Sequence, residues 1–125
     1  MTSTAEAYKI IIPGELPTMN QIVAASKKHW SEYNRMKRKH TETVAWMAKS
    51  LPKMEKIDVT ITWYCKNTRK DKDNITSGQK FLFDGLVEAG VIDGDGWKQI
   101  GDISHKFEVD KHNPRVEMDI REVSE

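Results

Sequence analysis

Five polar residues in the middle of this chain have the types and the spacing of a metal-dependent site: Asp71, Asp73, Asn74, Lys80 and Asp95. If the segment around Asp71 and Asp73 is extended, their side chains lie on the same side, because side chains alternate along an extended chain. Two neighbouring carboxylates repel each other unless a cation lies between them. One or two carboxylates, with waters and phosphate oxygens, are the usual ligands of Mg²⁺. The pattern therefore predicts a Mg²⁺ site, which Mn²⁺ also fits.

Basic residues lie mainly on the N-terminal side of this acidic stretch. Residues 1–72 carry 14 Lys and Arg against 7 Asp and Glu, a net charge of +7, whereas residues 73–125 carry 6 against 12, a net charge of −6. A basic half could follow a phosphate backbone while an acidic half supplies metal ligands. The alternative is that both sets are solvated surface charges.

Phosphodiester hydrolysis is the reaction that converging carboxylates would favour. Bound Mg²⁺ lowers the pKa of a water, polarises the scissile phosphate and offsets charge on the departing oxygen. Lys80 would then stabilise the transition state electrostatically, or help to position the attacking water. We favour the electrostatic role, because nearby carboxylates raise the pKa of a lysine and oppose its action as a base.

Each of these residues also has a purely structural interpretation. The paired carboxylates could be surface acids in a turn, and Lys80 could form only a surface ion pair with Asp84. The acidic run at 93–96 is not a calcium loop of the EF-hand type, because the position that needs an acid is Ser104.

Apolar and alternating runs predict four strands, at 8–12, 58–66, 103–109 and 116–120. We expect the last strand to pair antiparallel with the preceding one across the turn at 112–114. Residues 15–20 have turn-forming types and are expected to form a loop.

Apolar residues recurring at three and four positions predict two helices. The first covers about 31–51 and ends before Pro52. The second contains Ile75 and Leu86 and ends at Gly90; it is capped by Asn74 or begins near residue 77. The element order is β-α-β-α-β-β. We expect an α+β fold in which residues 1–125 form a single small domain, a mixed sheet with helices packed on one face.

Four further residues have competing structural and functional interpretations. Trp30 and Tyr33 could stack on bases, but we expect them to belong to the core. Cys65 and His105 fall on apolar faces of strands, so we expect a buried thiol and a hydrogen-bonded core histidine rather than a nucleophile and a ligand.

The composition indicates a cytoplasmic protein without a membrane segment. No apolar run approaches the ~20 residues of a membrane span, and the N-terminal residues lack the basic and apolar regions of a signal peptide. A single cysteine excludes an internal disulfide and is typical of a reducing compartment.

The central pattern resembles the RusA family of Holliday-junction resolvases, which bacteriophages and prophages typically encode. The residues that carry the resemblance are Asp71-Lys72-Asp73-Asn74, then Gln79-Lys80-Phe81-Leu82-Phe83-Asp84-Gly85-Leu86, then Ala89-Gly90-Val91-Ile92 and Asp95. The segment Leu16-Pro17-Thr18-Met19-Asn20 is similar to the family's N-terminal proline and asparagine segment. The resemblance spans about residues 8–123, and its specific part is 71–95.

This resemblance implies a homodimeric, Mg²⁺-dependent endonuclease that nicks two opposed strands of a four-way DNA junction, in a bacterium or a phage-infected cell. By position, Asp71, Asp73 and Asp95 match the family's catalytic, metal-binding carboxylates and Lys80 its essential lysine, with Asn74 in support. The chain departs from the family by about three extra residues around 76–78 and by a second acid, Asp93, in the last turn.

The basic residues that are candidates for holding the DNA arms lie just before and within the predicted first helix and in the turn after the second strand. They are Lys27, Lys28, Arg35, Arg38, Lys39, Arg69 and Lys70. Two other hypotheses remain: a catalytically silent junction-binding or DNA-binding phage protein, and a phage assembly protein whose acidic cluster is coincidental.

Overall fold

A four-stranded mixed sheet forms the centre of the computed structural model, which describes residues 7–123. Its strands are β1 (Ala7–Pro13), β2 (Ile57–Cys65), β3 (Ile100–Val109) and β4 (Arg115–Glu122). The strand order is β1-β4-β2-β3, with β2 parallel to β3 and antiparallel to β4. The predicted α+β class and the approximate element order are confirmed.

The helices lie between β1 and β2 and between β2 and β3. They are α1 (Met19–Lys28), α2 (Trp30–Ala48), the four-residue α3 (Lys72–Ile75), a 3-10 turn (Thr76–Gly78) and α4 (Gln79–Glu88). None of the helices within residues 7–123 is long and apolar enough to cross a bilayer.

Helix α1 begins inside the segment expected to be a loop. Thr18 Oγ1 accepts a hydrogen bond from the backbone N–H of Gln21, and the Gln21 side chain accepts one from the N–H of Thr18. This reciprocal pair is a capping box, which satisfies donors that a helix start otherwise leaves unpaired. The helix therefore starts at Met19. The prediction of a loop at 15–20 is wrong for its last two residues, 19 and 20, which are helical.

One face of the sheet packs against α2 and α4 to form the core. The alternating residues of β2 and β4 on this face are nearly inaccessible to solvent, as are apolar residues of α4. The buried side chains are Val59, Ile61, Trp63, Val116, Met118, Ile120, Leu82 and Leu86. Period-two alternation in the sequence thus corresponds to one covered and one open face.

Strand β4 does not pair with β3, so the predicted hairpin is wrong. The chain leaves β3 at Val109, crosses the end of β2, where the N–H of Asp110 donates to the carbonyl of Cys65 at 2.7 Å, and enters β4 between β1 and β2. In this position β4 has a partner strand on each side, and its apolar residues are buried in the middle of the sheet.

The N-terminal half of α2 projects from the core. Its buried residues are Thr41, Val44 and Ala48, whereas Trp30 is 70% exposed. The expectation that Trp30 belongs to the core is therefore wrong, and Tyr33 is only half-buried.

Helix α4 ends as predicted at Gly90, which has a φ of 79°. The N–H of Val91 donates to the carbonyl of Leu86 and that of Gly90 to Val87, each at 3.0 Å. This is the Schellman motif, in which a left-handed residue, usually glycine, closes the helix.

Glycine at position 85 allows α4 to approach α2 closely. A Cβ atom there would overlap both Cβ and Cγ1 of Val44 and lie 3.1 Å from the backbone nitrogen of Ala45. The contact joins the two helices that cover the sheet.

Gly85→Ala is expected to lower the free energy of unfolding by about 1–3 kcal/mol, because overpacking of a tight core outweighs alanine's better helix propensity. Urea denaturation measures the change. Gly94→Ala is the matched control, since its nearest neighbour would be Gln99 Oε1 at 3.7 Å. Equal or greater stability of Gly85→Ala would contradict the close helix contact.

The surroundings of Cys65 and His105 indicate structural roles for both residues. Cys65 is 9% exposed, and burial, followed by the nearby Glu15 carboxylate, raises the pKa of its thiol. His105 is half-buried and stacked on Trp63, whose Nε1–H donates to His105 Nδ1 at 3.0 Å. The prediction of a buried thiol is confirmed, and His105 is hydrogen-bonded as predicted but is half-buried on the edge strand rather than enclosed in the core.

Acidification is expected to destabilise the fold through His105. Burial lowers the pKa of His105, so the unfolded chain binds the proton more tightly than the folded chain. The stability that neutral His105 contributes is present above pH ~6.5 and is lost as the pH falls below that value, because protonation of Nδ1 removes the acceptor for Trp63.

The measurement is the urea midpoint at pH 7.5, 6.0 and 5.0 for the parent and for His105→Gln, which keeps an acceptor that does not titrate. The parent should lose more stability on acidification. Burial also lowers the pKa of His40, but His40 is present in both proteins and its effect cancels. Identical pH dependence would contradict the role of His105.

Candidate functional site

Asp71 and Asp73 lie where the chain turns from β2 into the helices. Asp71 occupies the N-cap position of α3 in an extended conformation, with φ −72° and ψ 147°, and its side chain makes no capping hydrogen bond. Asp73 lies within α3, and both residues are exposed. The expected extended segment is thus wrong, because α3 begins at Lys72, and residues two apart on a helix do not face each other.

A long-range contact fixes the acidic turn, defined as residues 71–73, to the rest of the fold. Asn74 Oδ1 accepts a hydrogen bond from the backbone N–H of Asn20, at the start of α1, at 3.0 Å. Asn74 therefore ties α3 to α1 instead of capping α4, whose N-cap position is held by Gly78. The segment 16–20 and the acidic turn, widely separated in sequence, meet here.

Glu15 holds the basic loop that precedes the acidic turn. One carboxylate oxygen accepts from the backbone N–H of Lys66 at 3.2 Å, and the other pairs with the ammonium of Lys70, also at 3.2 Å. Lys72 extends towards β3, with its ammonium 5.1 Å from the centre of the Phe107 ring. The acidic turn is therefore adjacent to the end of β3.

Asp95 lies at the opposite end of the sheet. It precedes β3, in a turn whose Gln99 carbonyl accepts from the N–H of Ile57 at the start of β2, at 2.9 Å. Because β2 and β3 are parallel, a residue that precedes β3 and one that follows β2 lie at opposite ends of the pair. Asp93, the second acid of this turn, forms an ion pair with Lys53 at 2.7 Å.

Within residues 7–123, no three His, Cys, Asp or Glu side chains are grouped so that they could hold a metal ion. The structure therefore does not bring the carboxylates of Asp71, Asp73 and Asp95 together within a single chain. The acidic turn alone offers two carboxylates, and Asp95 is separated from it by the length of β3.

Lys80 lies in the first turn of α4, with its side chain 47% exposed and its ammonium 3.8 Å from Asp84 Oδ2. The i, i+4 ion pair considered from the sequence is thus present. Asp84 is only 27% exposed, and its Oδ2 is buried without a hydrogen-bond partner among residues 7–123. The Lys80 ammonium is therefore the cation that compensates this oxygen, because an unpaired buried charge is costly.

The basic candidates form two groups. The α1–α2 arm, defined as residues 19–40, carries Lys27, Lys28, Arg35, Arg38 and Lys39, all of which are exposed. Arg69 and Lys70 lie in the loop before the acidic turn.

The joint of the α1–α2 arm is a single residue, His29. Its backbone N–H donates to Ala25 at the end of α1, and its Nδ1 accepts from the N–H of Ser31 at the start of α2, at 3.2 Å. One extended residue thus ends one helix and caps the next.

An exposed tryptophan that the sequence pattern does not single out lies on the outer side of α2. Trp46 is 64% exposed and lines an open hollow of about 540 Å³ together with Arg35, Arg38, Lys39, Glu42 and Thr43. The Lys49 ammonium lies 3.3 Å from the centre of the Trp46 ring. The only signal of this exposure in the sequence is that position 46 does not belong to the buried stripe of α2, which residues 41, 44 and 48 form.

Comparison with known proteins leaves the family of this chain open. No protein-family model matches the sequence, and no curated protein is detectably similar to it.

Proposed function

We propose that this protein is a Mg²⁺-dependent, structure-selective DNA endonuclease that resolves four-way junctions by paired symmetric nicks, in recombination and repair within a bacterial or phage-infected cell. The observation that carries the proposal is the exposed Asp71–Asp73 turn, which is fixed to α1 through Asn74 and preceded by the basic residues Arg69 and Lys70. One or two carboxylates are enough to hold Mg²⁺ when phosphate and water complete its shell.

The distribution of charge supports a polyanionic substrate. The exposed basic residues of the α1–α2 arm and of the 66–70 loop lie on segments that the contacts of Glu15 and Asn74 join to the acidic turn. Lys and Arg side chains that neutralise phosphates release counterions, which drives binding without sequence preference.

Lys80 is assigned an electrostatic role in this proposal. Its ammonium lies 3.8 Å from Asp84 Oδ2 in the first turn of α4, and a lysine ammonium can stabilise negative charge that develops on phosphorus-bound oxygens.

A non-catalytic DNA-binding protein is the second candidate. It is favoured by one observation, the separation of Asp95 from Asp71 and Asp73 within a chain. In that case the carboxylates would only orient neighbouring basic side chains.

Asp73→Asn separates the two candidates. In an endonuclease it should reduce cleavage of a synthetic four-way junction in Mg²⁺ by about 100-fold or more, because a metal-holding charge is lost, while junction affinity is kept. Asp119→Asn, on the open face of β4, is the matched control and should cleave normally. If the parent protein binds junctions but never cleaves them in Mg²⁺ or Mn²⁺, the non-catalytic candidate stands.

The basic residues of the α1–α2 arm lead to a separate prediction about how DNA binding depends on salt concentration. Replacing Arg38 and Lys39 together by alanine should weaken junction binding and reduce the slope of log affinity against log salt by about 1 for each phosphate that is no longer neutralised. Lys53→Ala, at the opposite end of the sheet, should leave the slope unchanged. Fluorescence anisotropy between 50 and 200 mM salt gives the slopes, and an unchanged slope in the double variant would remove the arm from the DNA-binding surface.

A further inference from the structure

The helical segments that follow Asp71 wind in one sense from residue 72 to residue 88. They are α3, the 3-10 turn and α4. The residues at the two junctions keep right-handed helical angles, with φ −68° and ψ −43° at Ile75 and φ −64° and ψ −15° at Gly78. Asp73 and the residues of α4 thus belong to one helical run, along which side chains three or four residues apart are neighbours.

Asp73, Lys80 and Asp84 lie on one side of this run. Their spacings of seven and four residues correspond to about two turns and one turn of a helix, and the tighter winding of the 3-10 turn moves Lys80 only about 40° from exact alignment with Asp73. The Cα–Cβ bonds of a helix tilt towards its N-terminus. Asp84 is therefore directed at Lys80, and the stem of Lys80 starts in the direction of the acidic turn.

The carboxylate of Asp84 is largely enclosed by the protein. Its side chain is 27% exposed, and Oδ2 has neither solvent access nor a hydrogen-bond partner among residues 7–123. Both chain neighbours, Phe83 and Gly85, are buried. An enclosed charge of this kind is costly unless a cation lies beside it, and the Lys80 ammonium supplies that cation at 3.8 Å.

Helix stability does not account for this ion pair. An i, i+4 pair stabilises a helix best when the acid precedes the base, and here Lys80 precedes Asp84. An uncharged residue at position 84 would avoid the enclosed charge altogether. The fold therefore gains little from a carboxylate at this position.

We propose that Asp84 is a positioning residue, whose carboxylate holds the Lys80 ammonium on the side of the helical run that carries Asp73, where it faces a phosphate bound at the acidic turn. The inference rests on the proposed endonuclease function, in which Lys80 has the electrostatic role. The flexible stem of a lysine leaves its ammonium mobile unless a partner holds it. A charge that is already in place stabilises a transition state without reorganisation at the moment of reaction.

The length of the ion pair leaves the ammonium able to bind a phosphate. A hydrogen bond between nitrogen and oxygen needs about 2.7–3.2 Å, so at 3.8 Å Asp84 attracts Lys80 without using any of its three N–H donors. Residues 73 and 80 are about 11–12 Å apart along the axis of such a run. This separation accommodates a phosphate group between the two side chains.

The contact can be tested without DNA, by combining substitutions at the two positions. Lys80→Gln should lower the urea midpoint of the parent, because it leaves the enclosed charge of Asp84 without a cation. In an Asp84→Asn background the same substitution should leave the midpoint nearly unchanged, since no enclosed charge is present. Equal decreases in the two backgrounds would mean that the two side chains do not interact, which would overturn the proposal.

Cleavage kinetics separate positioning from a purely structural role. Asp84→Asn should lower kcat on a synthetic four-way junction about tenfold or more and leave KM unchanged, because the variant binds DNA but no longer holds the ammonium in place. Glu88→Gln removes the same charge from an exposed position one turn further along α4, and this matched control should cleave normally. An unchanged kcat for Asp84→Asn, or a loss confined to KM, would contradict the positioning role.

The double variant shows whether Asp84 acts through Lys80. Once Lys80→Gln has removed the ammonium, Asp84→Asn should cost nothing further, so the kcat of the double variant should equal that of Lys80→Gln alone. Losses that multiply would give Asp84 an independent role and overturn the proposal. If the parent itself does not cleave, the endonuclease function fails, whereas the urea midpoints still decide whether Asp84 holds Lys80.

Discussion

The parallel pairing of β2 with β3 is the constraint on which the rest of this structure depends. Parallel neighbours cannot be joined by a tight turn, so the chain must travel back along the sheet before it enters the second strand. Here residues 66–99 make that return, with α4 packed on the sheet and Gly85 against α2. The acidic turn opens the crossover and Asp95 closes it, so their separation within one chain follows from topology.

Local features of the fold were predictable from the sequence, and the pairing of distant segments was not. Alternating residues identified the strands, and Gly90 marked the end of α4, because both signals act over a few neighbouring residues. Strand β4 lies between β1 and β2 because its apolar residues are buried there. The residue types of the five-residue turn at 110–114 carry no information about that placement. That turn suits a hairpin and a crossing over the end of β2 equally well.

In the candidate site, too, local features were predictable from the sequence and the contacts between distant segments were not. The types and spacing of Asp71, Asp73 and Asp95 are visible in the sequence, but their geometry is set by contacts over long separations, such as Asn20 with Asn74. The capping box of Thr18 and Gln21 is a local signal for the start of α1, which the turn-forming residues around it conceal. Apolar periodicity on α2 could not reveal that its N-terminal half leaves the core, because nothing in the spacing marks where a neighbouring helix ends.

The one-residue joint at His29 has a consequence for how the α1–α2 arm can vary. Each residue added to a helix rotates the preceding part of the chain by about 100° about the helix axis. Because the joint is the single residue His29, it cannot accommodate an inserted residue without changing the relative direction of α1 and α2. An extra residue there would redirect Lys27 and Lys28 relative to Arg35 without changing the charge of the arm. The length of this joint, more than the number of lysines, therefore sets how the basic residues of the two helices are arranged relative to each other.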